Sequence, residues 1–160
     1  MKIFGGVLLL FASVFVARSY GRFVREGVRQ ADGFYELFCG LASYINASGA
    51  PIQSYMDGVD IPALSAVGFF AEYDRTKCLY DAFLAVRRRL FLPKRISDTA
   101  DSVLRSLGRG DISTEVHLLR CGAEELKKMI DEYRTESERK IRIVTVSLAA
   151  AAFGLFMILL

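Results

Sequence analysis

The chain has 160 residues, of which 21 are basic and 18 acidic, and a mean hydropathy of +0.29, so it holds enough for one ordinary domain core. Lys2 and Arg142 flank the two apolar ends, and the stretch Arg18–Lys140 carries the other 19 basic and all 18 acidic residues. That near-neutrality argues against nucleic-acid binding, which needs a basic excess to gain from counterion release. Cys39, Cys78 and Cys121 lie far apart without metal or redox spacing and read as small buried apolar residues in a reducing compartment.

The first apolar run, Ile3–Ala17, has no charge and is bounded by Lys2 and Arg18. As a helix it rises roughly 23 Å, short of the ~30 Å hydrocarbon layer unless Ser19 and Tyr20 sit in the interface. A signal peptide would need a small-residue cleavage site. The one candidate, Ala17-Arg18-Ser19, has an arginine inside it, and further arginines follow. A membrane anchor over 1–20 is therefore expected.

Arg18, Arg22, Arg25 and Arg29 follow with 4-3-4 spacing, which on a helix places them in one stripe roughly 60° wide. The stripe suits an anionic lipid surface or a docking partner. Next, Phe34, Leu37, Phe38, Leu41, Tyr44 and Ile45 recur at steps of three and four, predicting an amphipathic helix that ends at Asn46-Ala-Ser-Gly49 before Pro51. Gly27, Gly33 and Gly40 each cost that helix roughly 1 kcal/mol relative to alanine, unless a close helix neighbour requires small residues there.

Asp60 and Pro62 predict the start of a helix running to Tyr73, and Thr76 is placed to cap another carrying Leu79, Tyr80, Phe83, Leu84 and Val86 toward the core. That helix should end near Arg87, Arg88 and Arg89, a cluster suited to a solvated surface or to an RNA or acidic-protein contact. Ser97–Leu107 reads as a helix closed by Gly108. Asp111 or Ser113 then caps a long helix with an apolar stripe through Val116, Leu119, Leu126, Met129, Ile130 and Tyr133. No stretch alternates with a period of two, so no sheet is expected.

The last run, Ile143–Leu160, is uncharged and preceded by Arg139, Lys140 and Arg142. Its 18 residues rise about 27 Å as a helix, enough for a second anchor over 141–160. Basic residues crowd the inner flank of both runs, so the positive-inside rule places the domain 21–140 in the cytoplasm and both termini outside. The expected fold class is all-α, an antiparallel helical bundle between two terminal transmembrane helices.

No phosphate loop, zinc-protease motif or nucleophile elbow occurs, and His117, the sole histidine, has no fixed-spacing metal partner. A non-enzymatic protein with no cofactor, no metal and no catalytic residue is expected. The acidic and basic residues between Glu124 and Arg139 form i,i+3 and i,i+4 pairs that account for much of their charge.

The order of these features resembles stage III sporulation protein AB of endospore-forming bacteria over nearly the whole chain. Ile45, Gly49, Pro51 and Ile52 resemble that family's helix-to-proline turn, with Ala50 where threonine is usual. Leu107-Gly108-Arg109-Gly110-Asp111 resembles its Leu-Gly-x-x-Asp turn, with Glu115 in place of a glutamine. The resemblance implies a bundle similar to the cytoplasmic domain of the type II secretion platform protein. It also implies a mother-cell membrane scaffold of a secretion-like channel complex facing the forespore, docked to a secretion-type ATPase, stage III sporulation protein AA, and to other channel subunits, with homo-oligomerisation left open. Other expectations from the same architecture are an inner-membrane platform of a secretion or pilus-type system and a membrane-bound regulator.

Overall fold

The computed structural model describes the backbone of residues 2–159; the side chains of residues 1–14, 17, 152, 155, 156 and 158–160 lie outside the described set. Among the described residues the chain is helical with no strand, which places it in the all-α class. Helix α1 spans Lys2–Ser48, α2 Ile52–Met56, α3 Pro62–Ser65, α4 Phe69–Thr76 and α5 Leu79–Val86. A 3-10 turn at Arg87–Arg89 follows, then α6 at Lys94–Ser106 and α7 at Ile112–Leu159.

The chain forms two compact units, a terminal unit of Met1–Glu26 with Tyr133–Leu160 and a core unit of Gly27–Glu132. In the core unit, the predicted face of α1 is buried through Phe34, Leu37, Phe38, Leu41 and Ile45, while Tyr44 is half-buried. Phe34 is the centre of an aromatic cluster, meeting the rings of Phe69 at 5.7 Å and Phe83 at 5.6 Å, both edge to face. Edge-to-face contact sets the positive rim of one ring against the negative face of the next, which adds about 0.5–1.5 kcal/mol per pair beyond area burial. From α6, Ile96, Ala100, Val103 and Leu104 join this core, and α7 adds Val116, Leu119, Leu126 and Ile130.

The glycines of α1 are sites of close approach. A Cβ on Gly27 would lie 2.5 Å from the carbonyl oxygen of Phe91, and one on Gly33 would lie 3.2 Å from side chains of Ala63 and Leu64. Gly40 leaves room for the Tyr55 hydroxyl, and Tyr55 also packs on Tyr44 at 5.4 Å. Packing therefore offsets the helix-propensity cost.

Four local expectations need correction. The helix expected over Ile61–Tyr73 is two helices, because Gly68 takes a left-handed φ of 83° that ends the first and opens α4. Ile61, not Asp60, is the N-cap of α3, and the Asp60 carboxylate accepts the Ser65 hydroxyl instead. Thr76 closes α4 rather than capping α5. Its hydroxyl donates to the Glu72 carbonyl at 2.9 Å and accepts the Cys78 amide at 3.4 Å. Finally, α6 begins at Lys94 directly after Pro93, three residues before the expected start.

The terminal unit has a different surface. Val24 and Ser137 are buried there, but eight of the eleven large apolar side chains exposed among the described residues belong to this unit, including Phe15 at 73%, Val146 at 62% and Phe153 at 65%. Among the described residues, no helix is long and apolar enough to cross a membrane. Most of the first predicted anchor, Ile3–Ala17, and the end of the second, Ile143–Leu160, lie outside the described side chains.

Candidate interaction surface

Two turns that carry the sequence motifs shape one side of the candidate surface. Ile45 is buried, and its carbonyl accepts the Gly49 amide at 2.9 Å as Gly49 takes a φ of 61°. That left-handed residue is the usual way to satisfy a terminal carbonyl and stop a helix. Pro51, exposed with φ −64°, then precedes α2 as its N-cap.

The second turn is tied more tightly. Half-buried Leu107 leaves α6 in an extended conformation, and Gly108 follows with φ 81°. The Gly108 amide donates to Glu115 Oε1 at 2.8 Å, so Glu115 reaches back from α7 across the turn. Asp111 precedes α7, and its carboxylate accepts the hydroxyls of Ser113 and Thr114. Those two hydroxyl bonds, with help from the Thr114 amide, hold the Asp111 carboxyl below the usual range. Glycine at φ > 0, an acid before the helix and an acid four residues on thus form one interlocked connector.

A lowered folded pKa means that this contribution to stability is present above the unfolded carboxylate pKa, about 3.9, and is lost as pH falls through the folded value. Asp111→Ala is expected to lower the denaturation midpoint near neutrality, with the difference from the parent chain closing as both are titrated into acid. Parallel unfolding curves across that pH range would check this, and a pH-independent difference would refute the assignment.

Asn46, Asp111, Ile112, Ser113, Val116, His117 and Arg120 line a broad groove of about 770 Å³ beside this connector. One turn along α7, Cys121 Sγ lies 3.5 Å from Nε2 of His117. Cys121 is exposed and Cys39 and Cys78 are half-buried, all three as free thiols. The expectation that the cysteines are buried therefore fails, most clearly for Cys121, which an i,i+4 step from His117 carries onto the outer face of α7.

Arg18, Arg22 and Arg25 are exposed on the terminal-unit part of α1, and Arg29 is exposed on its core-unit part. Beyond them in the terminal unit, Lys140 donates to Glu136 at 2.7 Å, which holds the Glu136 carboxyl below its ordinary range and raises Lys140.

Arg87, Arg88 and Arg89 are all exposed but differ in their contacts. Arg87 bridges to α6, with Nη2 3.3 Å from Asp98 and Nη1 3.6 Å from Asp101. Arg105 grips the other oxygen of Asp101 at 3.0 Å and donates to the Tyr80 hydroxyl at 2.9 Å, and this last bond raises the Arg105 pKa. The arginine ends of these pairs are solvent-screened, so the contacts orient α5 and α6 more than they stabilise them. Among the described residues, Arg88 and Arg89 enter no ion pair.

Next to them, Lys94 and Arg95 occupy the first turn of α6, which contains no acidic residue. Cations there oppose the helix dipole by about 0.3–1 kcal/mol each. Arg95 Nη1 lies 3.8 Å from Glu132, and both side chains are exposed.

Sequence reasoning missed Gln30, which is 1% exposed and accepts the Phe91 amide through Oε1 at 2.7 Å. Its signal was present: Gln30 lies four residues before Phe34 on the buried stripe, where a polar side chain needs a partner. The Tyr80–Arg105 contact had no such signal, because it joins residues 25 positions apart.

No family model matches the chain, and no curated protein or solved structure matches it.

Proposed function

We propose that the chain is a non-enzymatic membrane assembly protein in which a helical docking unit is held at the cytoplasmic face by apolar segments at Ile3–Ala17 and Ile143–Leu160. The observation that carries this reading is the pairing of those two uncharged runs, each with basic residues on its inner flank, around a helical unit with its own core. The concentration of large exposed apolar side chains in the terminal unit supports it, since Phe15, Val146, Phe153 and their neighbours in sequence suit lipid better than water.

Within this reading, the likeness of the Ile45–Ile52 and Leu107–Glu115 turns to stage III sporulation protein AB supports a role in the secretion-like channel complex between mother cell and forespore. Its docking partners are then the ATPase stage III sporulation protein AA and neighbouring membrane subunits, and Arg22 and Arg25 are candidate contacts beside the bilayer. Arg109 and Arg120, near the second turn and the groove, offer further charge for such a partner.

Full-length protein solubilised in mild detergent should co-purify with the ATPase, and Arg22→Glu combined with Arg25→Glu should weaken the capture. Cysteine labelling at each terminus and at Arg109 tests the topology. Accessibility of the Arg109 position from outside the cell would refute it, and unimpaired sporulation in a deletion strain would refute the assignment to the channel complex.

A further inference from the structure

The stretch from Ala82 to Ser97 holds five basic residues, Arg87, Arg88, Arg89, Lys94 and Arg95, and no acidic one. Arg87 and Arg95 have carboxylate partners, but among the described residues Arg88, Arg89 and Lys94 are exposed and enter no ion pair. One turn before Arg88, Leu84 is 42% exposed on α5, although the periodicity of that helix assigns it to the core. An uncompensated cationic segment with an apolar side chain on its border is thus presented outward.

Its place in the core unit narrows the choice of partner. The Phe91 backbone meets the start of the unit twice: its amide donates to Gln30 Oε1 at 2.7 Å, and its carbonyl oxygen packs against the bare Cα of Gly27. Arg95 reaches Glu132, the last residue of the unit. The basic segment is therefore attached where the chain enters and leaves the core unit.

On the reading of Ile3–Ala17 and Ile143–Leu160 as anchors, only about ten residues link each of these two points to an anchor, and so short a tether keeps the local concentration of headgroup charge around the segment high.

We propose that Leu84–Arg95 is a docking surface for an anionic bilayer, with Arg88, Arg89 and Lys94 facing lipid phosphates and Leu84 resting among the headgroups. The proposal rests on the reading of the terminal runs as membrane anchors. It makes the core unit lie against the membrane that holds it, through a second, electrostatic contact.

The chain contains no tryptophan, so Leu84→Trp introduces a single indole reporter. Full-length L84W protein is reconstituted in nanodiscs of phosphatidylcholine, with and without phosphatidylglycerol. Emission should shift to the blue and be quenched by brominated acyl chains in the anionic discs, and should remain that of an exposed indole in the neutral ones. Adding Arg88→Glu, Arg89→Glu and Lys94→Glu should shift the docking equilibrium at least roughly 100-fold toward release, and high salt should do the same in kind. Ala85→Trp, on the same exposed turn, repeats the measurement if circular dichroism shows that L84W perturbs the fold.

Unshifted emission in anionic discs overturns the proposal, as does quenching that survives charge reversal. A response to polyglutamate or RNA in the absence of one to anionic lipid overturns it in favour of an acidic macromolecule. Failure of the anchor reading shows separately, as loss of the parent protein from phosphatidylcholine liposomes floated at alkaline pH, while the L84W response to added anionic vesicles remains measurable.

Discussion

Phe34→Ala is expected to cost about 3–5 kcal/mol of unfolding free energy, the largest loss of any single substitution discussed for this protein. Phe34 is fully buried and touches Phe38, Phe69 and Phe83, so its ring joins α1 to α4 and α5 at one point. Removing it takes away transfer free energy and two edge-to-face contacts, and the facing rings, held by separate helices, can close the cavity only in part. Against a typical stability of about 5–15 kcal/mol, this removes from about a fifth to all of the margin that keeps the core unit folded. Denaturant titration of the full chain in mild detergent, read as a change in midpoint at unchanged slope, measures it. Leu84→Ala is the control and should cost less than about 1 kcal/mol, as an exposed site would. Equal losses for the two variants would contradict the burial assigned to Phe34.

The second large effect is expected at Gly27. Helix propensity alone predicts that Gly27→Ala stabilises α1 by roughly 1 kcal/mol. The new methyl would meet the Phe91 carbonyl oxygen at 2.5 Å, a backbone atom on a peptide segment that Gln30 also holds. Either the segment moves off α1 and strands the Gln30 side chain, or α1 shifts and opens its buried face. Overpacking of this kind costs about 1–3 kcal/mol, so the net change should be destabilising. Gly40→Ala should be milder, because the group it displaces is the far end of the Tyr55 side chain, which can swing away. Measuring both by the same titration separates the cases: a stabilised Gly27→Ala would show that Phe91 does not press on the helix.

Much of the helical pattern was legible in the chain because it depends on local chemistry. The apolar stripe of α1 is periodic, so its buried residues could be named without tertiary information, as could those of α6 and α7. Gly49 and Gly108 stand where helices end because a left-handed residue is needed there and glycine adopts it without a Cβ clash. The Asp111 cap follows from the same local logic.

Where several local signals competed, periodicity misled. Ile61–Tyr73 has enough apolar residues to read as one helix, but Gly68 admits a left-handed turn that lets Phe69 reach Phe34. Leu84 shows the opposite limit: its spacing suits the core, yet Phe83 and Val86 are buried from that helix and Leu84 is 42% exposed.

Composition, charge and periodicity were sufficient to establish an all-helical chain with uncharged runs near both ends, because helix stripes and hydropathy are properties of neighbouring residues. The tertiary structure decided which glycines are contact points, that Arg87 is tied to α6 while, among the described residues, Arg88 and Arg89 enter no ion pair, and that the segment after α5 packs on Gly27 and is hydrogen bonded to Gln30. These depend on which distant residues meet. Spacing along the chain carries no record of that, because side-chain packing and hydrogen-bond partners are settled only when the helices come together.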